Sequence, residues 1–255
     1  MRPTPEDAAH VDVWFGSLDA PDAVLRELRE TLSEDELEHA SRFHFKRERD
    51  RYIAGRGLLR ALLADYTGKA QPALRFEYSR YGKPRLRDGG DITFNVSHSA
   101  NRVVFAVARG APVGVDIEVL DSKPSDELVA RQFFSDTEVR DFLALQLDAR
   151  PRAFLTCWTR KEAFIKARGE GLNLPLQDFD VTLTPGVAPQ LRRTAWDPSE
   201  PSQWLLFDLT DRCEGCVAAL AVRARRATVA VGELELSAAG ALTRAPARVD
   251  VATEP

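Results

Sequence analysis

The chain has 255 residues, a length that predicts one or two domains with a full hydrophobic core. Hydrophobic residues make up 44 % and charged residues 29 %, which excludes a disordered chain. No apolar run approaches the roughly 18 residues of a membrane helix, and we expect no signal peptide in the proline-containing, acidic segment 1–10. The 3 cysteines exclude a disulfide scaffold and are typical of the reducing cytoplasm, where we expect the protein to act.

The net charge of −4 is unevenly distributed along the chain. Seven basic residues lie between Ser41 and Arg60 against two acidic ones, whereas nine acidic residues lie between Ala111 and Asp148 against three basic ones. A basic segment favours an anionic partner, and an acidic segment favours a metal ion. Solvated helix faces account for both segments equally well, so more specific patterns have to decide.

Short patterns predict the elements of the first half. Ser33 and Glu36 have the spacing of a capping box, which predicts a helix at 34–45. Apolar residues at helical spacing predict a longer helix at 48–66 that ends at Gly68. Strands are predicted from alternation and from turn residues at 11–17, 74–78, 92–97, 103–108 and 113–119.

The second half begins with helical patterns and ends with strand patterns. Ser135 and Glu138 form another capping box, and Gly169 follows the last helix of the series. Helices are predicted at 125–134, 136–147 and 152–168. Strands are predicted at 179–183, 204–209, 217–223 and 229–236.

The order of elements repeats along the chain. In each half a long helix precedes a strand, an X-Pro-X-Leu turn and two further strands, with Pro84 and Pro189 in corresponding turns. Any α+β chain matches itself to some degree, but the shared order predicts an α+β fold of two similar lobes related by a pseudo-twofold axis. Each lobe is expected to be a small antiparallel sheet packed with a long helix, with the active site in the cleft between them. We place the lobes at 1–112 and 113–240 and expect a flexible tail at 241–255.

The first candidate site is the strand segment Gly-Val-Asp-Ile-Glu at 114–118. Because side chains alternate along a strand, Asp116 and Glu118 share the face opposite to Val115 and Ile117, which face the core. Adjacent carboxylates repel each other unless a cation lies between them, and oxygen ligands suit Mg²⁺. Taken alone, an ordinary half-exposed strand accounts for the pattern better than a metal site.

The second candidate site is the helical segment Trp-Thr-Arg-Lys-Glu-Ala-Phe-Ile-Lys at 158–166. Glu162 and Lys166 are four residues apart and therefore lie on one face of a helix. A surface ion pair of this kind contributes only about 0.2–1 kcal/mol. The neighbouring residues are largely apolar, however, and a charged stripe on an apolar helix favours the wall of a cleft.

The third candidate site is the strand end Phe-Asn-Val-Ser-His-Ser at 94–99. Its hydroxyl groups, its backbone N–H groups and the imidazole of His98 are groups that bind phosphate. A single histidine is more often a structural hydrogen-bonding residue. Lys83 and the basic helix around Arg51 supply further candidate phosphate contacts.

Together these segments resemble the signatures of the 4′-phosphopantetheinyl transferase superfamily, in particular its long, two-lobed, Sfp-like type. The family's Gly-[Ile/Val]-Asp-[Ile/Val]-Glu strand matches 114–118, and its Trp-x-x-Lys-Glu-[Ala/Ser]-x-x-Lys helix matches 158–166. The other matching segments are Tyr-Gly-Lys-Pro at 81–84, Phe-Asn-Val-Ser-His-Ser at 94–99 and Gly-Glu-Gly-Leu at 169–172. The resemblance covers residues 33–183. The four motifs at 81–84, 94–99, 114–118 and 158–166, in this order along the chain, are specific together although each alone is weak.

The resemblance implies an enzyme that transfers the 4′-phosphopantetheine arm of coenzyme A to a serine of an apo acyl or peptidyl carrier protein, releasing adenosine 3′,5′-bisphosphate. It implies that Asp116, Glu118 and Glu162 bind Mg²⁺. Glu162 would also act as the base for the serine, either directly or through a metal-bound water, and Lys166 would stabilise or protonate the departing bisphosphate. The residues implied in coenzyme A binding are Arg51, Gly82, Lys83, Pro84, Asn95, Ser97 and His98.

One position departs from the family pattern, since members often carry Lys or Arg where this chain has His39. We expect His39 to contact coenzyme A with a weaker hold on its 3′-phosphate, unless Arg42 or Arg47 compensates. The Cys213 and Cys216 pair has no further ligands nearby in the sequence, so it is a poor zinc site and is expected in a hairpin between the last strands.

We expect a monomer that binds neither nucleic acid nor a membrane. Because carrier proteins of this kind are usually acidic, the segment 160–168 with Leu172, Leu174 and Leu176 is expected to form a basic and apolar docking surface for them. The resemblance leaves open whether the carrier serves fatty-acid, polyketide or nonribosomal-peptide synthesis.

Two alternatives remain open. A Mg²⁺-dependent nuclease also places an Asp and a Glu on a strand, but it typically needs a Glu-x-Lys on a neighbouring strand, and the negative net charge disfavours DNA. A coenzyme A-binding or carrier-binding protein without catalysis has the same recognition motifs. The presence of all three carboxylates favours the enzyme.

Overall fold

The computed structural model describes residues 8–120, 127–171, 174–236, 242–244 and 248–252. Its helices are α1 (Asp22–Glu30), α2 (Glu34–Ser41), α3 (Lys46–Thr67), α4 (Glu127–Phe133), α5 (Asp136–Leu143) and α6 (Arg150–Arg168). Its strands are β1 (Ala9–Ser17), β2 (Phe76–Tyr78), β3 (Pro84–Leu86), β4 (Ile92–Ser99), β5 (Arg102–Arg109), β6 (Val113–Val119), β7 (Phe179–Val181), β8 (Leu191–Thr194), β9 (Leu205–Asp208), β10 (Cys216–Val222), β11 (Ala227–Leu236), β12 (Leu242–Arg244) and β13 (Arg248–Ala252).

The two halves of the chain repeat one topology, as the sequence predicts. Each half runs through one strand, three helices and four strands, from β1 to β5 and again from β6 to β10. The sheet of the first half contains the order β1-β5-β4, and the sheet of the second half has the order β6-β10-β9. In both, the first strand pairs antiparallel with the last strand, which pairs antiparallel with the one before it. The fold is α+β, with two similar lobes built from small, largely antiparallel sheets and helices.

The first sheet also takes strands from the end of the chain. β11 pairs with β1 in parallel, and β12 and β13 pair with β11. The lobe bounds at 112 and 240 stay a prediction, and β11 shows that the sheet of the first half includes a strand from the second range. Within the range predicted as a tail, β12 and β13 are described, and residues 241, 245–247 and 253–255 lie outside the described residues.

Three apolar clusters arrange the elements in four layers. One cluster fills the space between the two sheets, with Val13 of β1 facing Val115 and Ile117 of β6. A second cluster packs α3 on the outer face of the first sheet, and a third packs α6 on the outer face of the second sheet. Val115 and Ile117 are fully buried, as their alternation predicts. Full burial of one such side chain stabilises the fold by about 1.5–3 kcal/mol.

Local signals place the ends of the long helices correctly. Gly68 follows α3 and Gly169 follows α6, and both adopt the left-handed conformation, with φ of 67° and 74°. Only glycine reaches this conformation at little cost, and it ends a helix there.

Several short elements have no counterpart among the predictions. Helix α1 is amphipathic, with Val24, Leu25 and Leu28 buried. Its N-cap residue Pro21 makes no side-chain bond to the helix, so the sequence contains no capping pattern that predicts where α1 begins. Strands β3 and β8 contain only three and four residues, too few for an alternation to be recognised.

The two sheets meet at a seam between their edge strands β4 and β6. No backbone ladder joins these strands among the described residues; side chains of β4 join them instead. The Val115 N–H donates to Asn95 Oδ1 at 2.9 Å, and the Val119 N–H donates to Ser99 Oγ at 3.2 Å. Because the two bonds are four residues apart on both strands, the strands run side by side in the same direction. The polar face of β6 therefore opens beside the polar side chains of β4.

Candidate active site

A cluster of three polar groups lies at the centre of this seam. Ser97 Oγ donates to Asp116 Oδ1 at 2.7 Å, and Lys166 Nζ donates to the same oxygen at 2.6 Å and to Ser97 Oγ at 2.9 Å. Ser97 comes from β4, Asp116 from β6 and Lys166 from α6, so three of the predicted site residues from three separate motifs lie together. Their positions in the sequence are up to 69 residues apart.

Gly114 brings α6 close enough to β6 for this contact. A Cβ atom at Gly114 would overlap the main-chain oxygen of Ala163 and the main-chain nitrogen of Ala167 on α6. The helix therefore lies directly on the strand backbone. Lys166 reaches Asp116, which is two residues beyond Gly114 and on the same face of β6. The glycine of the strand motif is thus explained by a close approach of two backbones.

Burial makes Asp116 an unusual carboxylate. The residue is 3 % exposed, and desolvation raises its pKa although Lys166 and Ser97 act in the opposite direction. Its Oδ2 is buried and accepts no hydrogen bond. An unsatisfied buried carboxylate oxygen costs free energy unless a donor or a cation reaches it.

The other two predicted metal ligands, Glu118 and Glu162, lie on β6 and α6. Glu118 is two residues beyond Asp116 on β6, on the same face, and its Oε2 accepts from Ser99 Oγ at 2.9 Å. Glu162 is half-buried on α6, one turn before Lys166. Within the part of the chain that the structure describes, no three His, Cys, Asp or Glu side chains are gathered closely enough to hold a metal ion. The Lys166 ammonium, and not a third carboxylate, lies against Asp116.

The donor set still fits a hard divalent cation. All three side chains offer carboxylate oxygens, which Mg²⁺ prefers, and the unpaired Oδ2 of Asp116 leaves one oxygen ready to bind. The assignment of Asp116, Glu118 and Glu162 as the ligands of such an ion stays a prediction.

A cavity of about 440 Å³ opens next to the seam, between α3 and β4. Arg51, Arg56 and His98 supply positive or titratable groups to its lining, and Glu48 supplies one acidic group. Tyr52, Phe43 and Leu59 supply apolar walls. His98 points out of β4 on the side opposite to Ser97, and partial burial and the Lys166 charge lower its pKa. Arg51 reaches the cavity while its guanidinium pairs with both carboxylate oxygens of Asp19, at 2.8 and 3.2 Å.

His39 contributes to an aromatic cluster behind this cavity. Its ring lies 4.8 Å from the ring of Tyr52 and 5.6 Å from the ring of Phe43, and the latter two residues line the cavity. Burial raises the pKa of Tyr52 to about 12, so its hydroxyl stays protonated at neutral pH. His39 thus supports the aromatic wall of the cavity, and its contact with coenzyme A stays a prediction.

Lys83 has partners other than the predicted phosphate. Its Nζ donates to the main-chain oxygens of Lys166 at 2.6 Å, Val113 at 3.0 Å and Ala167 at 3.3 Å, and burial lowers its pKa to about 8. Lysine has three N–H donors, so these three carbonyls use all of them. Lys83 therefore fastens the end of α6 to the start of β6, next to the seam.

The neighbours of Lys83 shape the turn that presents it. Gly82 adopts a positive φ of 82°, and its N–H donates to the Ser79 carbonyl at 2.9 Å. Pro84 begins β3 opposite Tyr78. The side-chain oxygen of Asn95 accepts from the Val115 N–H, so the observed role of Asn95 is to join β4 to β6 at the seam. Contacts of Gly82, Pro84 and Asn95 with coenzyme A stay predictions.

The predicted docking surface around α6 is wrong. Arg160 is 3 % exposed and donates to the Thr182 carbonyl and to Asp208, and the Arg168 side chain is 5 % exposed and pairs with Glu200. Leu174 and Leu176 are buried in the cluster beneath α6, and Leu172 lies outside the described residues. These side chains hold the second lobe together and are not available to a partner.

Sequence reasoning missed two contributions to the site. Ser99 was part of a matching motif, but its bond to Glu118 follows only from the register of β4 against β6. Arg56 lines the cavity, yet its guanidinium also pairs with Glu36, a contact across 20 residues that no local pattern indicates.

The helices of the described residues give no candidate for a membrane span, since none is both long and apolar enough.

Two family models match the chain in succession. The model described as the 4′-phosphopantetheinyl transferase superfamily matches residues 112–222, and the model described as 4′-phosphopantetheinyl transferase, N-terminal, matches residues 21–109.

Named relatives have the same description. The chain is 37 % identical over 215 residues to the 4′-phosphopantetheinyl transferase HetI of Nostoc sp., covering 83 % of this chain and 87 % of that protein. It is 38 % identical over 152 residues to the 4′-phosphopantetheinyl transferase Sfp of Bacillus subtilis, covering 60 % of this chain and 66 % of that protein. A solved structure, the holo-[acyl-carrier-protein] synthase of Thermotoga maritima, matches at 26 % identity with a TM-score of 0.37, over 48 % of this chain and 66 % of that chain.

Proposed function

This chain belongs to the 4′-phosphopantetheinyl transferase superfamily and is a transferase of phosphopantetheine, and from that premise we propose its substrates and mechanism. The donor is coenzyme A, the acceptor is a serine hydroxyl of an apo acyl or peptidyl carrier protein, and the second product is adenosine 3′,5′-bisphosphate. The observation that carries this proposal is the Asp116–Ser97–Lys166 cluster with its unpaired carboxylate oxygen, at a seam beside a cavity lined by arginines.

Charge neutralisation assigns a role to each part of the site. Mg²⁺ held by Asp116, Glu118 and Glu162 would supply Lewis-acid chemistry at the diphosphate. Lys166, which already lies against Asp116, is placed to stabilise negative charge that develops on the departing bisphosphate. Arg51, Arg56 and His98 line the cavity and supply groups that bind the phosphates of the nucleotide.

The reaction requires one proton transfer and one nucleophilic substitution at a phosphorus atom. The carrier serine oxygen forms a bond to the phosphorus that bears the pantetheine arm, and the bond from that phosphorus to the bridging oxygen breaks. The serine proton goes to the Glu162 carboxylate, and the negative charge leaves with adenosine 3′,5′-bisphosphate, where the Lys166 ammonium stabilises it.

The deciding experiment incubates the purified chain with coenzyme A, Mg²⁺ and several apo carrier proteins and measures the intact mass of each carrier. A gain of the phosphopantetheine mass on at least one carrier, absent with EDTA, supports the proposal. The proposal fails if no carrier gains mass while the chain is folded by circular dichroism. Binding of coenzyme A without any mass gain would then favour the alternative of a binding protein without catalysis.

The remaining expectations are part of the same proposal. We propose that the protein acts as a monomer in the cytoplasm. We also propose that it binds no nucleic acid, because its net charge is negative and Arg51 and Arg56 line a cavity that fits a nucleotide better than a duplex. Light scattering and a DNA-binding assay at low salt test both statements, and a dimer or DNA binding would contradict them.

A further inference from the structure

Two cysteines lie side by side at the start of β10. Cys213 Sγ–H donates to Cys216 Sγ at 2.8 Å, and the two residues are 8 % and 2 % exposed. Gly215 adopts a positive φ of 73° between them, and the Cys216 N–H donates to the Cys213 carbonyl at 3.3 Å, so a tight turn aims the two side chains at each other. Both are free thiols in the structure.

The turn is fixed to the strand that carries the carboxylates. The Leu120 N–H donates to the Gly215 carbonyl at 3.0 Å, and Cys216 pairs with Val119 in the ladder between β10 and β6. The sulfur atoms are part of the apolar cluster between the two sheets. Because neighbouring elements hold both cysteines, the two sulfur atoms stay close together in the native state.

A cavity of about 560 Å³ reaches one of the two thiols. Cys213 lines it together with Arg102, Arg212 and Glu214, next to the end of β1. The cavity is polar, and a small hydrophilic reagent can therefore approach Cys213, whereas Cys216 does not line it.

We propose that Cys213 and Cys216 form a reversible disulfide in the folded protein. A disulfide has a sulfur–sulfur distance of about 2.0 Å, so closing the present 2.8 Å gap needs a shift of less than about 1 Å. The oxidant is a disulfide or a peroxide. With glutathione disulfide, each protein thiol loses its proton, the sulfur–sulfur bond forms inside the protein, and the two electrons and two protons leave as two molecules of reduced glutathione. With hydrogen peroxide, the same bond forms, and the two electrons and two protons reduce the peroxide to two molecules of water.

A metal site is the other chemistry open to paired cysteines, and the surroundings disfavour it. A structural zinc site needs four ligands, and the described residues gather no three His, Cys, Asp or Glu side chains here or elsewhere. The pair is therefore suited to forming a bond between its own sulfur atoms.

The third cysteine provides a matched control within the chain. Cys157 is fully buried in the cluster beneath α6, apart from the cluster that holds the pair, and burial raises its pKa well above the usual value. It has no second sulfur among its neighbours in that cluster. Oxidation that involves Cys157 would therefore indicate unfolding and not the proposed bond.

The test keeps the full chain folded during oxidation. Parallel samples are held at 25 °C with excess glutathione disulfide, excess hydrogen peroxide or dithiothreitol, then unfolded in N-ethylmaleimide and weighed by intact mass spectrometry. The dithiothreitol sample should take up a maleimide on each of the 3 cysteines, and each oxidised sample should take up two fewer maleimides. In the Cys157→Ser variant the oxidised chain should take up none, and dithiothreitol should restore the uptake.

Two results would overturn the proposal. One is full maleimide labelling after both oxidants in a chain that remains folded by circular dichroism. The other is evidence that the bond involves different cysteines: either oxidation no longer lowers maleimide labelling in the Cys157→Ser variant, or an intramolecular disulfide still forms in the Cys216→Ser variant. The oxidised parent should also melt at a higher temperature than the reduced parent, a shift that Cys216→Ser should abolish.

Discussion

The two lobes use the same device to anchor their long helices. In the first lobe the Ser33 N–H donates to the capping-box Glu36, whose carboxylate pairs with Arg56 and Arg60 of α3. In the second lobe Ser135 and Glu138 form the corresponding capping box, and Glu138 pairs with a single cation of α6, Lys161. In each case a cap residue of a short helix is also the buried counterion of the long helix that follows.

The cation of each long helix makes a second set of matching contacts. Arg60 donates to the carbonyls of Gln71 and Leu74, and Lys161 donates to the carbonyls of Leu176 and Phe179. Both cations thereby hold the segment that leads into the first strand after the helix. The guanidinium of Arg60 lies 5.3 Å from the ring centre of Phe76, and the Lys161 ammonium lies 4.2 Å from that of Phe179.

The lobes differ in what else their long helices carry. Helix α3 adds Arg51, which lines the cavity beside Arg56 of the shared device, whereas α6 adds Lys166, which belongs to the seam, and Glu162 one turn before it. The repeated device thus builds the scaffold, and the positions outside it carry different chemistry in each lobe. This difference leads to four predictions.

The largest effect is expected on catalysis, and only from the second lobe. Glu162→Gln should lower kcat about 10²–10⁴-fold, the range for loss of a general base, with the fold intact by circular dichroism. The corresponding side of the first lobe supplies the control: Asp65 follows Arg60 as Lys166 follows Lys161, and Asp65→Asn should turn over at close to the parent rate. Phosphopantetheinylation of an apo carrier, followed by mass spectrometry, measures both. A normal rate for Glu162→Gln would remove that residue from its role.

The next largest effect is on stability, and it should be unequal between the lobes. Among the described residues, Lys161 is the cation that pairs with the fully buried Glu138, so Lys161→Met should cost about 3–5 kcal/mol of unfolding free energy. Arg60→Met should cost less, about 1–3 kcal/mol, because Arg56 still pairs with Glu36. Urea unfolding measures both, and the exposed Lys46→Met serves as a control expected to unfold at close to the urea midpoint of the parent. Equal losses for Lys161 and Arg60 would contradict this asymmetry.

A third prediction concerns Lys83, which reaches from the first lobe to the end of α6 in the second. Lys83→Met leaves three carbonyls without their donor, and we expect a loss of about 1–3 kcal/mol in stability. If Lys83 acts only by fastening α6, the variant should keep the parent's ratio of kcat/KM for coenzyme A against 3′-dephospho-coenzyme A. A ratio that falls toward one would instead establish Lys83 as a ligand of the 3′-phosphate.

The smallest effect is a difference in pH dependence between the two capping-box glutamates. The two arginines lower the pKa of Glu36 below the usual 4.5, so its contribution to stability is present above pH 4.5 and is lost as the pH falls through the lowered pKa. Burial raises the pKa of Glu138, so its carboxylate costs stability at high pH, and protonation relieves that cost as the pH falls.

The measurement is the unfolding free energy in urea between about pH 3 and pH 7. Glu36→Gln should make the loss of stability in acid shallower than in the parent, whereas Glu138→Gln should make it steeper. Slopes that change in the same direction for both variants would show that the two ion pairs respond to pH alike.

Much of the fold was predictable because its signals are local. The capping boxes at Ser33 and Ser135 and the left-handed glycines after α3 and α6 act within one helical turn, and the alternation of β6 describes a single strand. The repeated order of elements came from the same local signals and correctly predicted two similar α+β lobes. Helix α1 and strands β3 and β8 were missed because they carry no such signal or are too short for one.

The sequence by itself determined which residues had the right chemistry: the carboxylates of β6, the charged stripe of α6 and the hydroxyl groups of β4. Only the tertiary structure decided which of them meet, because Ser97, Asp116 and Lys166 belong to three elements and the register between β4 and β6 is set by long-range side-chain bonds. For the same reason only the structure separated surface charges from buried ones, as with Arg160, Arg168 and Lys83. Apart from Glu170 beside Arg168, their partners lie 22 to 84 residues away and cannot be found from local sequence patterns.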